Sequence, residues 1–144
     1  MKESRCAAQL KPLDVGVRRE MELNQVTLAV TDIPRAVAFY KRLGFKQIVD
    51  APHYARFECR PDGPSFSVHR VSAPASNDGV VIYFECEDVD DEVKRLRSEG
   101  IELEAEPVDQ SWLWREAYLR DPDGNRICIY RAGENRLNPP WRLP

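Results

Sequence analysis

What this sequence lacks narrows it quickly. No apolar run in its 144 residues approaches the roughly 20 needed to span a bilayer. The stretch Met1 to Glu20 carries charges and one cysteine but no apolar h-region, so no secretory signal is read there. The four cysteines (Cys6, Cys59, Cys86 and Cys128) are therefore expected as reduced thiols in the cytoplasm. Their spacings match no CxxC metal motif, and the last three read as small buried hydrophobes. There is no GxGxxG, no P-loop and no GxSxG, which removes the usual signs of dinucleotide, nucleotide and serine-hydrolase chemistry. Surplus positive charge is missing as well. Lys+Arg total 21 against Asp+Glu 24, a net charge of -3, which makes no electrostatic footprint for nucleic acid.

What is present is a repeat. With no gap, Gln25 to Phe45 lies over Val81 to Ile101, matching Asp32 with Asp88, Ile33 with Val89, Val37 with Val93 and Gly44 with Gly100. Each copy opens with a period-two strand: Val26, Leu28 and Val30 in the first, Ile82, Phe84 and Cys86 in the second. Asp32 and Asp88 follow as helix N-caps, and Pro34 sits in the first turn where its missing N–H does no harm. Ile33, Val37 and Tyr40 make one apolar helix stripe; Val89, Val93 and Leu96 make the matching one. Gly44 and Gly100 end the helices.

The later parts of the copies also correspond. Arg60-Pro61-Asp62-Gly63 aligns with Asp121-Pro122-Asp123-Gly124, two tight turns in which Gly is free to take positive φ. Strands are expected at Lys46–Val49, Tyr54–Cys59 and Ser65–Val71, and at Glu102–Glu104, Glu116–Arg120 and Arg126–Tyr130. Each copy is thus βαβββ. The expected fold is α+β, two tandem βαβββ modules forming a curved mixed sheet around a cleft. The modules span 22–71 and 80–131, joined by the loop-like Ser72 to Gly79. Residues 1–21 form an N-terminal extension and 132–144 a tail. Pro139-Pro140 favours an extended tail with Trp141 anchoring it on the body or on a second subunit.

Three segments carry a resemblance: Leu23 to Asp32 (LNQVTLAVTD), Ala38 to Phe45 (AFYKRLGF) and Asp121 to Arg126 (DPDGNR). In this order, on a repeat, they resemble the vicinal oxygen chelate superfamily of glyoxalases, bleomycin-resistance proteins and dioxygenases. The resemblance implies a cleft that holds a small molecule, in the enzymes with a divalent metal, and it implies a homodimer. Carried over residue by residue, the metal-ligand positions fall on Gln25, Val81, Ser67 and Cys128. Valine cannot ligate, and serine and cysteine stand where the family often has glutamate. His69, two residues beyond Ser67 and so on the same strand face, is the residue that restores a ligand. Gln25, His69 and Cys128 are the candidate metal set.

Other residues compete for roles in the cleft. His69 is a candidate general base, since its ordinary pKa is about 6.5. Glu85 shares strand parity with Val81 and Tyr83 and is the second catalytic candidate. Trp112 and Trp114, in Ser111-Trp112-Leu113-Trp114-Arg115-Glu116, make a flat recognition wall. With Tyr83 and Ser67 they are the candidate ligand contacts. His53 reads as a surface residue. Three functions fit this pattern. The first is a small-molecule binder with a degenerate metal site. The second is a metal-dependent enzyme, a lactoylglutathione lyase-like lyase or isomerase or a ring-cleaving dioxygenase. The third is an interaction module with a filled concave face. No nucleic-acid or membrane partner is expected.

Overall fold

The structure is a computed structural model that describes residues 21–74, 76 and 79–144. The expected extension, apart from Met21, lies outside the described residues. Two like halves make up most of the rest. The first runs β1 (Gln25–Val30), α1 (Ile33–Leu43), β2 (Lys46–Ala51), β3 (Tyr54–Glu58) and β4 (Ser65–Arg70). The second runs β5 (Val81–Glu85), α2 (Val89–Ser98), β6 (Val108–Asp109), β7 (Arg115–Arg120) and β8 (Arg126–Arg131). Each half folds into a four-stranded mixed sheet, ordered β1-β4-β3-β2 and β5-β8-β7-β6. The first strand pairs parallel with the last of its half, and the remaining pairs are antiparallel. This is the tandem βαβββ α+β fold, built as two open sheets.

The helices start and stop where side-chain chemistry dictates. Asp32 accepts the Arg35 N–H at 2.9 Å, and Asp88 accepts the Asp91 N–H at 3.1 Å, each satisfying an orphan donor of the first turn. Gly44 takes φ 113° after α1, and Gly100 takes φ 80° after α2, in the left-handed region that a Cβ disfavours. The apolar stripes then bury as spaced: Ile33, Ala36, Tyr40 and Leu43 from α1, and Val89, Val93 and Leu96 from α2.

Three expectations change. Glu102–Glu104 is not a strand. Only Glu104 N–H reaches Tyr118 O, at 2.8 Å, and Pro107 offers no donor, so the outer ladder is left to the two residues of β6. In the first tight turn Asp62, not Gly63, takes the positive φ, 57°; in the second Gly124 does, at 84°. The tail is not extended: it winds into a 3-10 helix at Gly133–Arg136, Arg142 N–H closes a turn on Pro139 O at 2.9 Å, and Trp141 is 56% exposed rather than anchored on the body.

One apolar core joins the halves. Leu28, Val30, Phe57 and Phe66 from the first meet Leu96, Ile101, Leu119 and Ile127 from the second. Burying each such side chain contributes about 1.5–3 kcal/mol. Phe84 crosses the boundary, with its ring 4.7 Å from Phe45 and 5.8 Å from Phe66.

Polar ties fix the angle between the halves. Arg95 of α2 donates to the Arg42 and Leu43 carbonyls at 3.1 and 2.9 Å, capping the end of α1 where cations suit the helix dipole. The Asp121-Pro122-Asp123-Gly124-Asn125 turn docks on the β1–α1 junction. Asp121 accepts the buried Tyr40 hydroxyl at 2.7 Å, Asp123 accepts both donors of Thr31 at 2.8 and 2.7 Å, and Asn125 donates to Ala29 O at 3.1 Å. The turn motif is therefore a clamp between the halves.

Candidate functional site

Where the edges β1 and β5 face each other, a groove of about 680 Å³ opens. Strand alternation builds it. Val26, Phe66, Ile82 and Phe84, from the helix-facing side of each sheet, supply an apolar floor with Phe45. Gln25, Ser65, Tyr83 and Tyr130, from the opposite parity, supply hydrogen-bonding groups and aromatic edges. Arg60, from the first tight turn, and Arg136, from the 3-10 helix, bring guanidinium groups to the lining, with Glu85 as its carboxylate. Cys59 also lines the groove, and burial pushes its thiol above the ordinary value.

The groove takes in three of the residues singled out from sequence. Gln25 is one, its Oε1 accepting from Ser65 Oγ at 2.9 Å. Tyr83 is another, 43% exposed and edge-on to Trp114 and Tyr130 at 5.9 and 5.5 Å. The third is Glu85, but its carboxylate is already engaged. Oε1 accepts the Ala132 and Gly133 N–H groups at 3.0 and 2.8 Å, tying the tail to β5. Burial pushes the Glu85 carboxyl up, but those two N–H groups, with Arg131 and Arg136, bring it below the ordinary carboxylate value. A carboxylate held ionised by donors is a poor general base, so Glu85 serves as the tail's anchor.

The other singled-out residues lie elsewhere. Ser67 is fully buried, with its Oγ 2.6 Å from Thr27 Oγ1, so it is not a ligand contact. His69 is exposed and off the groove, and its side chain makes no hydrogen bond or ion pair with a described residue. Trp112 gives its indole N–H to Glu116 at 2.8 Å, and Trp114 stacks on Tyr130 at 4.8 Å. The two tryptophans thus pack the open face of the second sheet. Trp114 touches the groove indirectly, as a brace for Tyr83 and Tyr130.

The transferred metal positions do not compose a metal site. Gln25 pairs in register with Ser65, four residues before His69 on β4, which separates Gln25 and His69 by about 13 Å along the sheet. Cys128 is fully buried on the other sheet, beside Tyr83 in register. Burial and the Glu116 charge push its thiol up to about 12, whereas a ligand must be thiolate. Val81 has no donor, and the Ser67 hydroxyl faces Thr27. Among the described residues, no three His, Cys, Asp or Glu side chains gather as a metal site would need.

A second polar cluster escaped the sequence reading. Tyr54 and Arg56 stand on the same face of the first sheet as Ser67. Arg56 Nε donates to the Tyr54 hydroxyl at 2.9 Å, and its guanidinium carbon lies 5.4 Å from the ring centre. Partial burial pushes the Tyr54 phenol up, but hydrogen bonds with Ser67 and Arg56 and the Arg56 charge outweigh it and lower the value. The period-two pattern of β3, with Ala55 and Phe57 buried, was the available signal.

Fold and groove together define a two-module α+β scaffold that leaves a hollow between its halves. The family model described as the Glyoxalase/Bleomycin resistance protein/Dioxygenase superfamily matches residues 22–129. The chain belongs to this superfamily. A Bacillus subtilis (strain 168) protein, Uncharacterized protein YraH, is 29% identical over 130 residues, covering 77% of this chain and 98% of its own. Among solved structures, a glyoxalase/bleomycin resistance protein/dioxygenase from Nocardioides is 22% identical with a TM-score of 0.72, over 90% of this chain and 94% of that one. The bleomycin resistance determinant encoded on transposon Tn5 is 21% identical with a TM-score of 0.65, over 77% and 98%. Lactoylglutathione lyase from Agrobacterium tumefaciens is 20% identical with a TM-score of 0.65, over 79% and 96%. At these identities the structural likeness is one of fold. No described helix is long and apolar enough to cross a membrane.

Proposed function

We propose that the protein binds a small organic molecule in the groove between its halves and acts as a binder, without a resident metal. The observation that carries this reading is the groove itself. Its volume of about 680 Å³, apolar floor and polar rim suit a small ligand. The mismatch between the transferred ligand positions and metal chemistry favours binding over metal-dependent catalysis. The bleomycin resistance determinant offers a precedent of fold for a resistance protein, and lactoylglutathione lyase one for an enzyme. In this proposal the protein is cytoplasmic and homodimeric. Val108, Trp112 and Leu113, each 42–49% exposed on the β6–β7 hairpin, supply apolar surface for a second copy.

A second reading is enzymatic and rests on Tyr54. A phenol of lowered pKa beside a guanidinium is suited to proton transfer. Under this reading Tyr54→Phe abolishes turnover of a substrate and leaves its binding intact.

A thermal-shift screen of small organic molecules tests the binding proposal. A compound at 100 times its Kd adds about 2.7 kcal/mol. Gln25→Trp fills the groove from an exposed position on an edge strand, so it should remove the shift and leave the unliganded melting point nearly unchanged. A shift that survives Gln25→Trp places binding elsewhere and refutes the proposal. A sedimenting monomer at micromolar concentration refutes the homodimer.

A further inference from the structure

Resting on that reading of the groove, we propose that its ligand carries an oxyanion, a carboxylate in the simplest case, on a flat apolar body. Arg60 and Arg136 are the residues that select it. The argument begins with the repeat. The two tight turns are sequence counterparts, yet they do different work. In the second half the turn opens with Asp121, buried and docked on α1. In the first half the same position is Arg60, exposed and on the lining of the groove. The clamp role has no use for a guanidinium there.

Arg60 is also unspent. It forms no ion pair or hydrogen bond through its side chain with any described residue. Its stem lies across Gly63, where an added Cβ would sit 2.7 Å from Arg60 Cγ and 2.9 Å from Nε. Gly63 does not take a left-handed φ, and its lack of a Cβ leaves the space that the Arg60 side chain occupies.

Charge at the groove opposes that of the molecule. The lining carries Arg60, Arg136 and one carboxylate, Glu85, on a chain whose net charge is -3. Glu85 is covered by the Ala132 and Gly133 N–H groups and lies 3.9 Å from Arg136 Nε, which leaves the positive charge of Arg60 unanswered. Planar guanidinium forks match oxyanions in geometry as well as sign. Below them the phenyl rings of Phe45, Phe66 and Phe84 and the ring edges of Tyr83 and Tyr130 suit a flat apolar body.

The test uses three probes of one shape: 2-naphthoate, 2-naphthalenemethanol and 2-naphthylmethylammonium. Affinities are measured by calorimetry, with amide chemical shifts reporting the place of binding. The expected result is naphthoate binding on the order of tenfold more tightly than the alcohol, with perturbed amides at the groove. Arg60→Gln erases most of that preference and leaves alcohol binding unchanged. Arg136→Gln weakens the preference, and Gly63→Ala does so by displacing the Arg60 side chain. Because Arg60 and Arg136 are surface groups, unaltered circular dichroism and melting point confirm folding of those two variants. If Gly63→Ala fails to fold, the arginine variants carry the test alone. Equal binding of acid and alcohol overturns the proposal and leaves the groove reading standing. So does tighter binding of the ammonium, or a preference that survives loss of both arginines. If no probe perturbs groove amides at millimolar concentration, the groove reading fails and this inference fails with it.

Discussion

Tyr40→Phe tests whether the clamp between the halves holds the molecule together. Tyr40 is fully buried, and its hydroxyl donates to Asp121 Oδ2 at 2.7 Å across the boundary. Burial first, then the negative charge of Asp121, drives the phenol far above its ordinary value, so it stays a donor at every working pH. The substitution keeps the ring and its contacts with Phe39, Phe57 and Phe66, at 5.1, 5.7 and 4.6 Å. Only the hydrogen bond is lost. Asp121 Oδ2 retains one donor, the Asn125 side-chain amide at 2.8 Å, while Oδ1 keeps the Asp123 and Asn125 backbone N–H groups. A hydrogen bond to a charged group contributes about 1.5–3 kcal/mol, and part of that is offset because Phe has no hydroxyl to desolvate.

The expected loss is about 2 kcal/mol, or about 6–8 °C in Tm for a domain of this size. Urea unfolding followed by circular dichroism should show a lower midpoint with an unchanged m-value. In an Asp121→Asn background the same change should cost less than half as much, because its partner has already been altered. A loss under about 0.5 kcal/mol, or an equal loss in both backgrounds, would refute the clamp.

Two further outcomes follow from the charged and thiol groups. Glu85→Gln should free the tail, speeding amide exchange at Ala132 and Gly133 and costing about 1 kcal/mol. The folded carboxyl lies below its ordinary 4.5, so its contribution is complete above that pH. It is lost as the pH falls through the lower folded value, and wild type and variant should converge there. Amide exchange that is equal in the two at pH 7 would contradict the anchor. Cys128 should give no reaction with Ellman's reagent in the native protein at pH 8, since its thiol is buried and raised to about 12. It should react once guanidinium unfolds the chain. The sign follows: a folded thiol raised above the ordinary 9.0 favours folding below that pH, and stability falls as the pH rises past it. Prompt labelling of Cys128 in folded protein would contradict its burial.

The repeat, the helix caps and the strand parity were legible from the chain alone, because each rests on neighbours a few residues apart. Asp32 can cap only the helix that follows it, and alternation assigns Val26 and Leu28 to one face and Gln25 and Thr27 to the other. The family was legible for the same reason, since its three segments are local patterns. Parity also predicted that Gln25, Tyr83 and Glu85 would leave the core side of their strands.

What the tertiary structure alone decided is which of those outward groups meet. Glu85 looked available until a tail 47 residues later placed two N–H groups on it. Ser67 and Cys128 had the right parity for a cleft, but residues on adjacent strands cover them. Arg60 and Arg136 are 76 residues apart and carry no shared pattern, yet they line one groove. The reason is physical. Local structure follows from short-range sterics and backbone hydrogen bonds, whereas a site depends on how two halves settle against each other. That angle is set by the shared apolar core, by Arg95 on the end of α1 and by the buried Tyr40–Asp121 bond, contacts whose partners no local pattern could pair.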